Sequence, residues 1–169
     1  MLGDWEDEAQ TSVVQLGQDI IGSGRFWKAM DVPHHFGVSI ADHSLRCARY
    51  ALAISRWLEE HGVSLSEEDA VRASLLHDMG MTEDEVFESP SRVKAYTHPR
   101  EGARIATEEY GANDAIVDAI RRHMWPIGHV FPRHLVGWVV VAADKCSSIA
   151  ETHEYVSTMA KTLRRRTDG

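Results

Sequence analysis

Ser74-Leu75-Leu76-His77-Asp78-Met79-Gly80 is the stretch on which the reading of this chain turns. His77 follows Ala70, Ala73 and Ser74 at helical spacing, and Gly80 marks the helix end. An imidazole and a carboxylate therefore arrive together at the end of an inward helix face. Burying an uncompensated carboxylate costs on the order of several kcal/mol, so Asp78 needs a partner with charge. The same situation recurs outward along the chain. His43 lies near the start of a long helical stretch, beside Ile40 and one turn before Cys47. His98 stands directly before Pro99, and His123 ends the stripe Ile116, Ile120, His123. Asp144 follows the apolar run Val139-Val140-Val141-Ala142-Ala143, which a solvated aspartate has no reason to join. Any one of these alone is ordinarily a hydrogen-bonded core histidine or a helix cap. Together they aim ionisable groups from separate helices at one interior, with no matching run of inward Lys or Arg. A divalent transition metal meets that need. Mixed imidazole and carboxylate suit iron, manganese, nickel, cobalt or zinc, and helix-bundle interiors are where such sites are built.

Around these positions the pattern is helical throughout. Residues 6–21 carry Ala9, Val13, Leu16 and Ile20 at helical spacing and end at Gly22-Ser23-Gly24. Residues 26–38 read as irregular, broken by Pro33 and Gly37. A long helix is expected over 39–61 before Gly62. Capping-box-like starts at Ser64 or Ser66 open the helix that reaches His77. One or two turns fit 82–88. Pro99 suits the first position of a helix over 99–110, closed by Gly111, and Asn113 caps 114–124. A further helix runs from Pro132 to about 152, followed by a last helix or tail over 154–169. The expected fold is all-α: one domain over 1–169, a bundle of six or seven helices with its motif core at 39–151. Helical spacing favours core packing for Trp57 and Trp138 over base stacking. Cys47 and Cys146 read as small hydrophobes, His61 as a helix C-terminal residue, and Arg164-Arg165-Arg166 as a solvated tail.

Composition narrows the function. With 18 Lys and Arg against 26 Asp and Glu, the 169-residue chain has a formal net charge of −8. That speaks against a nucleic-acid coat, and a phosphate substrate needs a local cation to reverse the field. Two cysteines cannot form a disulfide framework, so a reducing cytoplasm is expected. The acidic start has no signal-peptide pattern, and no apolar stretch reaches the ~20 residues of a membrane helix.

In order, Asp42-His43-Ser44-Leu45-Arg46, the quoted His77-Asp78 stretch, His98-Pro99-Arg100-Glu101-Gly102, Ile120-Arg121-Arg122-His123 and Val141-Ala142-Ala143-Asp144-Lys145 resemble the HD domain superfamily of metal-dependent phosphohydrolases. The resemblance covers roughly 39–151, and His123-Met124-Trp125-Pro126 is similar to a subgroup of small bacterial HD proteins. It implies one metal held by His43, His77, Asp78 and Asp144. It also implies a second at His98 and His123, with Asp78 bridging. It implies hydrolysis of a phosphate ester or anhydride in a nucleotide or other small phosphorylated metabolite. Many such members carry Lys where this chain has Met81, and Lys145, Arg46, Lys94 or Arg100 are the available replacements. Asp78, Lys145 and Arg46 are the catalytic candidates. His34-His35 are open between a lid, a substrate contact and a surface pair, and a homodimer is one option for assembly. The same fold also hosts diiron oxygenases, and a degenerate member could bind a nucleotide without turnover.

Overall fold

Polar caps set several helix starts in the computed structural model, which describes the backbone of residues 2–167 and side chains over 7–162 and at Arg164. The tail reading at Arg165 and Arg166 lies outside the described side chains. Ser23, Ser39 and Ser66 each accept, through Oγ, the backbone N–H three residues on, and Asn113 Oδ1 does the same for Ile116. Each such cap contributes about 1 kcal/mol. Among the described residues nine α-helices follow in order: α1 (Leu2–Leu16), α2 (Gln18–Ile21), α3 (Gly24–Asp31), α4 (Ile40–Glu60), α5 (Glu67–Leu76), α6 (Asp84–Phe87), α7 (Ser91–Tyr110), α8 (Asp114–Arg122) and α9 (Leu135–Thr167). A 3-10 turn, Met79–Thr82, separates α5 from α6. Among the described residues there is no strand, only an isolated bridge between Pro33 and Ser39. The all-α expectation holds. No helix of the described residues is long and apolar enough to cross a membrane.

α4 is the central rod and packs most extensively on α5 and α9, while α7 leans on α8 and the 3-10 turn. Ile40, Leu52, Leu75, Leu76, Ile105 and Ile120 are fully buried between them.

Five expectations change. The helix count exceeds six or seven because short helices fill expected breaks. Ser23, inside an expected breaker, caps α3 instead, so 26–31, expected to be irregular, is helical. The helix expected to begin at Pro99 begins at Ser91 and carries Pro99 in its interior. Proline there withholds one N–H from the helix ladder, but packing on the 3-10 turn and α8 holds α7 through it. The chain from Leu135 onward is one helix of 33 residues, not two pieces. Lastly, Trp57 and Trp138 are not core: they are 56% and 39% exposed. Trp57 lies against His61, and Trp138 packs edge-on to Trp125.

Candidate metal centre

Five helices and one turn deliver the site. His43 sits in the first turns of α4, fully buried. His77 is the residue after α5, and Asp78 begins the 3-10 turn. His98 comes from the middle of α7, His123 from the end of α8, and Asp144 from α9. Gly80 makes the crossing possible. A Cβ there would lie 2.2 Å from the carbonyl oxygen of His98 and 2.8 Å from the amide of Gly102. The glycine is needed for close approach of α7, which brings His98 over Asp78.

All four imidazoles are oriented alike. His77 Nδ1 donates to the Ser74 carbonyl, His98 Nδ1 to that of Lys94 and His123 Nδ1 to that of Ile120, each at 2.7 Å. His43 Nδ1 donates to Glu151, 3.0 and 3.1 Å from its two carboxylate oxygens. A ring that donates from Nδ1 presents the Nε2 lone pair, the usual ligand arrangement with its outer hydrogen bond in place. His77 Nε2 is buried with no hydrogen-bond partner, and His98 Nε2 and His123 Nε2 face each other at 3.1 Å.

Asp78 lies between two histidine sets. Its Oδ2 is 3.3 Å from both His77 Nε2 and His34 Nε2 and 3.9 Å from His43 Nε2. Its Oδ1 is 3.3 Å from His98 Nε2 and 3.5 Å from His123 Nε2. Asp144 Oδ1 is 3.3 Å from His43 Nε2. Three groups of side chains could hold a metal: His43, Cys47, His77 and Asp144; His77, Asp78 and His123; and, on the outer side of His43, His34, His35, His43 and Glu151. The convergent lone pairs, the orphaned His77 Nε2 and the buried carboxylates fit a divalent cation.

The electrostatics agree. Burial alone would raise the Asp78 pKa, but His77, His123 and His34 hold it well below the carboxylate range. Asp144 and Glu151 are lowered against the same opposition, by His43 and by His35 and His43 respectively. Burial works against charge on His43 and His77, yet the neighbouring acids raise both. For His34 and His123 burial wins, and both are pushed down. Burial pushes the Cys47 thiol up to about 11, so at neutral pH it stays a thiol beside His43 Nε2, as the reading of it as a small hydrophobe anticipates.

The centre opens into a cavity of about 290 Å³ that Met81, Lys94, Lys145 and Ser148 help to line. The structure brings all six candidate ligands together. Lys145 is at the same cavity, its Nζ donating to Asp144 Oδ2 at 2.6 Å. Arg46 is turned away: its guanidinium grips Glu154 at 2.8 and 3.0 Å and is absent from the cavity lining. Arg100 lines a neighbouring cleft.

Sequence reasoning missed Glu151 and left His34-His35 undecided. Glu151 is 1% exposed and accepts from Ser147 Oγ at 2.9 Å as well as from His43. His35 Nε2 lies 2.9 Å from its carboxylate. The available signal was the spacing of Asp144, Ser147 and Glu151, which puts all three on one helix face.

The model of the HD domain family matches residues 40–149. Two curated relatives are both named Ribonuclease Y. The one from Lactobacillus helveticus is 31% identical over 67% of this chain and 18% of its own length. The one from Lactobacillus acidophilus is 31% identical over 79% of this chain and 21% of its own. The chain thus spans about a fifth of these relatives. A conserved hypothetical protein from Pyrococcus furiosus shares the fold, with a TM-score of 0.55 at 22% identity over 90% of this chain and 86% of that one. The family match runs from the first turn of α4, ahead of His43, to beyond Asp144, so it spans every candidate ligand, and the chain belongs to the HD domain family.

Proposed function

We propose that this protein is a metal-dependent phosphohydrolase acting on a phosphate ester or anhydride of a nucleotide or other small phosphorylated metabolite. One observation carries the reading: Asp78 turns one oxygen to His77 and His43 and the other to His98 and His123. His43, His77, Asp78 and Asp144 would hold one divalent cation, and His98 and His123, sharing Asp78, a second. The chemistry such ions supply is a lowered pKa for water and polarisation of a phosphoryl oxygen.

The chain's own groups do the rest. His34 Nε2 lies 3.3 Å from Asp78 Oδ2 and, with His77 and His123, keeps that carboxylate ionised. Glu151 fixes the His43 ring and its tautomer. Lys94 and Lys145 bring two ammonium groups to the cavity that Met81 lines, where they grip the anionic substrate against the field of a chain with net charge −8.

The test is hydrolysis, read as free phosphate or as new nucleotide products, by protein loaded with Mn, Fe, Ni, Co or Zn. The panel holds nucleoside phosphates, cyclic nucleotides, dinucleoside polyphosphates and, because the curated relatives are named ribonucleases, short oligoribonucleotides. Metal-dependent hydrolysis that Asp78→Ala abolishes is expected. No hydrolysis under any metal, with oxygen-dependent turnover of a non-phosphorylated polyol by the iron-loaded protein, overturns the reading in favour of an oxygenase.

A further inference from the structure

Beside the metal cavity lies a second cleft, of about 230 Å³, whose walls include Tyr96, Arg100, Arg121, Met124 and Val130. Ala95 and Met124 line both spaces, so they share a wall. Tyr96 and Arg100 are four residues apart on α7 and so lie on one face. Arg121 is in the last turn of α8. Arg100 and Arg121 each stand two residues from a candidate ligand, His98 and His123.

The arginines of this chain divide between those held by an acid and those, Arg49, Arg92 and Arg133 among them, with no side-chain partner among the described residues. Arg25, Arg46, Arg56, Arg72 and Arg104 each engage a carboxylate. So does Arg122, the third arginine of the cleft, through Asp118. Arg100 and Arg121 have no hydrogen bond or ion pair among the described residues, although the chain carries 26 acidic side chains. Both are free to take an anion, and a planar guanidinium is suited to grip phosphate through two parallel bonds. The same cleft has apolar walls: Tyr96 and Val130 are 47% and 50% exposed. An exposed aromatic beside free arginines is a surface on which a base can stack.

Size points the same way. At about 290 and 230 Å³ the cavity and the cleft each fall short of the ~300 Å³ at which small-molecule sites begin. A substrate occupying both would be well held.

We propose that this cleft is a nucleotide subsite. Arg100 and Arg121 hold a phosphate of the substrate beyond the one that reacts, and a base lies against Tyr96 and Val130. This deepens the hydrolase reading and takes only the position of the reacting phosphate from it. A nucleoside polyphosphate and a dinucleotide both supply that chemistry.

Calorimetry on the purified protein with AMP, α,β-methylene-ADP and a phosphorothioate-linked diadenylate tests it. The wild type is expected to bind at least one two-phosphate probe about tenfold or more tightly than AMP, the scale of a charge-assisted hydrogen bond. Which probe is preferred distinguishes the two sources. In the double variant Arg100→Ala, Arg121→Ala the ratio should fall to about one, and Arg100→Lys, Arg121→Lys should keep part of it. Matched thermal melts show that the fold is intact. Equal binding of all three probes by the wild type, or an unchanged ratio in the alanine double variant, overturns the subsite. Probe preference without hydrolysis of any panel member would sink the hydrolase reading and leave the cleft standing. Hydrolysis without probe preference would do the reverse.

Discussion

Replacing Glu151 tests whether a residue outside the six ligands expected from the sequence governs the metal site. Its carboxylate is 1% exposed and accepts from His43 Nδ1 at 3.0 and 3.1 Å and from Ser147 Oγ at 2.9 Å. A negative charge behind the ring raises the basicity of Nε2 and fixes its direction. Outer partners of ligating histidines are worth about 10–100-fold in metal affinity, or ~1.4–2.7 kcal/mol. Glu151→Gln keeps the size and one acceptor but removes the charge, so the lower end of that range is expected. Glu151→Ala leaves the His43 N–H and the Ser147 hydroxyl without this acceptor, adding a stability cost of ~1–3 kcal/mol for each group left unsatisfied. The assay is calorimetric titration of the metal-free protein with Mn(II), with thermal unfolding alongside. If both variants bind Mn(II) within a factor of two of wild type, Glu151 does not act through His43 and the reasoning fails.

Further outcomes follow from the same geometry. Asp78→Ala should empty both metal positions, whereas His98→Ala and His123→Ala should each lower occupancy from two ions to one; a single ion in wild-type protein, touching neither histidine, refutes the shared carboxylate. In the metal-free protein His43 and His77 are held above the ordinary histidine range, so a bound cation must displace their protons and affinity should rise with pH. Calorimetry in two buffers of different ionisation heat reads that proton release, and none at pH 7 contradicts it. Asp78, Asp144 and Glu151 are depressed. Their contribution to stability is therefore present above the unfolded carboxylate pKa of ~4 and lost as pH falls through the folded values. Acid titration of the metal-free protein should show that loss, less steeply in Asp144→Asn. Gly80→Ala puts a methyl 2.2 Å from the His98 carbonyl oxygen, and the overpacking should cost ~1–3 kcal/mol; an unchanged melting temperature refutes the close-approach argument.

His77, His123 and Asp144 were legible as candidate ligands because each ends or follows an apolar stripe, where a charged group has no other reason to be. Glu151 was not, because Ser148, Ile149 and Thr152 around it do not look like a core. Only a straight helix from Leu135 onward aligns it with Asp144 and Ser147, and the sequence showed a break near 152. Local signals misled in the same way at Pro99, which resembles a first helical residue but sits in mid-helix. Ser23 resembles part of a breaker but caps α3. In both places the deciding contacts come from elsewhere in the chain, and a local window does not contain them. Gly80 shows the converse. It reads correctly as a helix end, while the stronger reason for glycine, the passing backbone of α7, appears only in three dimensions.

Lys145 offers a sharper division between gripping substrate and shaping the metal site. Its ammonium donates to Asp144 Oδ2 at 2.6 Å while lining the cavity. If its role were to hold Asp144 in place, Lys145→Ala would loosen a ligand and weaken the metal. The structure argues otherwise, because Asp144 Oδ1 is already directed to His43 Nε2 at 3.3 Å without help from the lysine. Removing a positive charge beside the site also removes repulsion of an incoming cation. Lys145→Ala should therefore leave Mn(II) affinity equal or higher, and raise KM for a phosphate substrate while kcat changes little, as expected for a group that binds ground and transition states alike. Lys94 lines the same cavity, its ammonium 4.6 Å from the centre of the Phe87 ring and without an acid partner among the described residues, so Lys94→Ala should move KM alone. Weaker Mn(II) binding by Lys145→Ala, with KM unaltered, would reassign that lysine from substrate grip to support of Asp144.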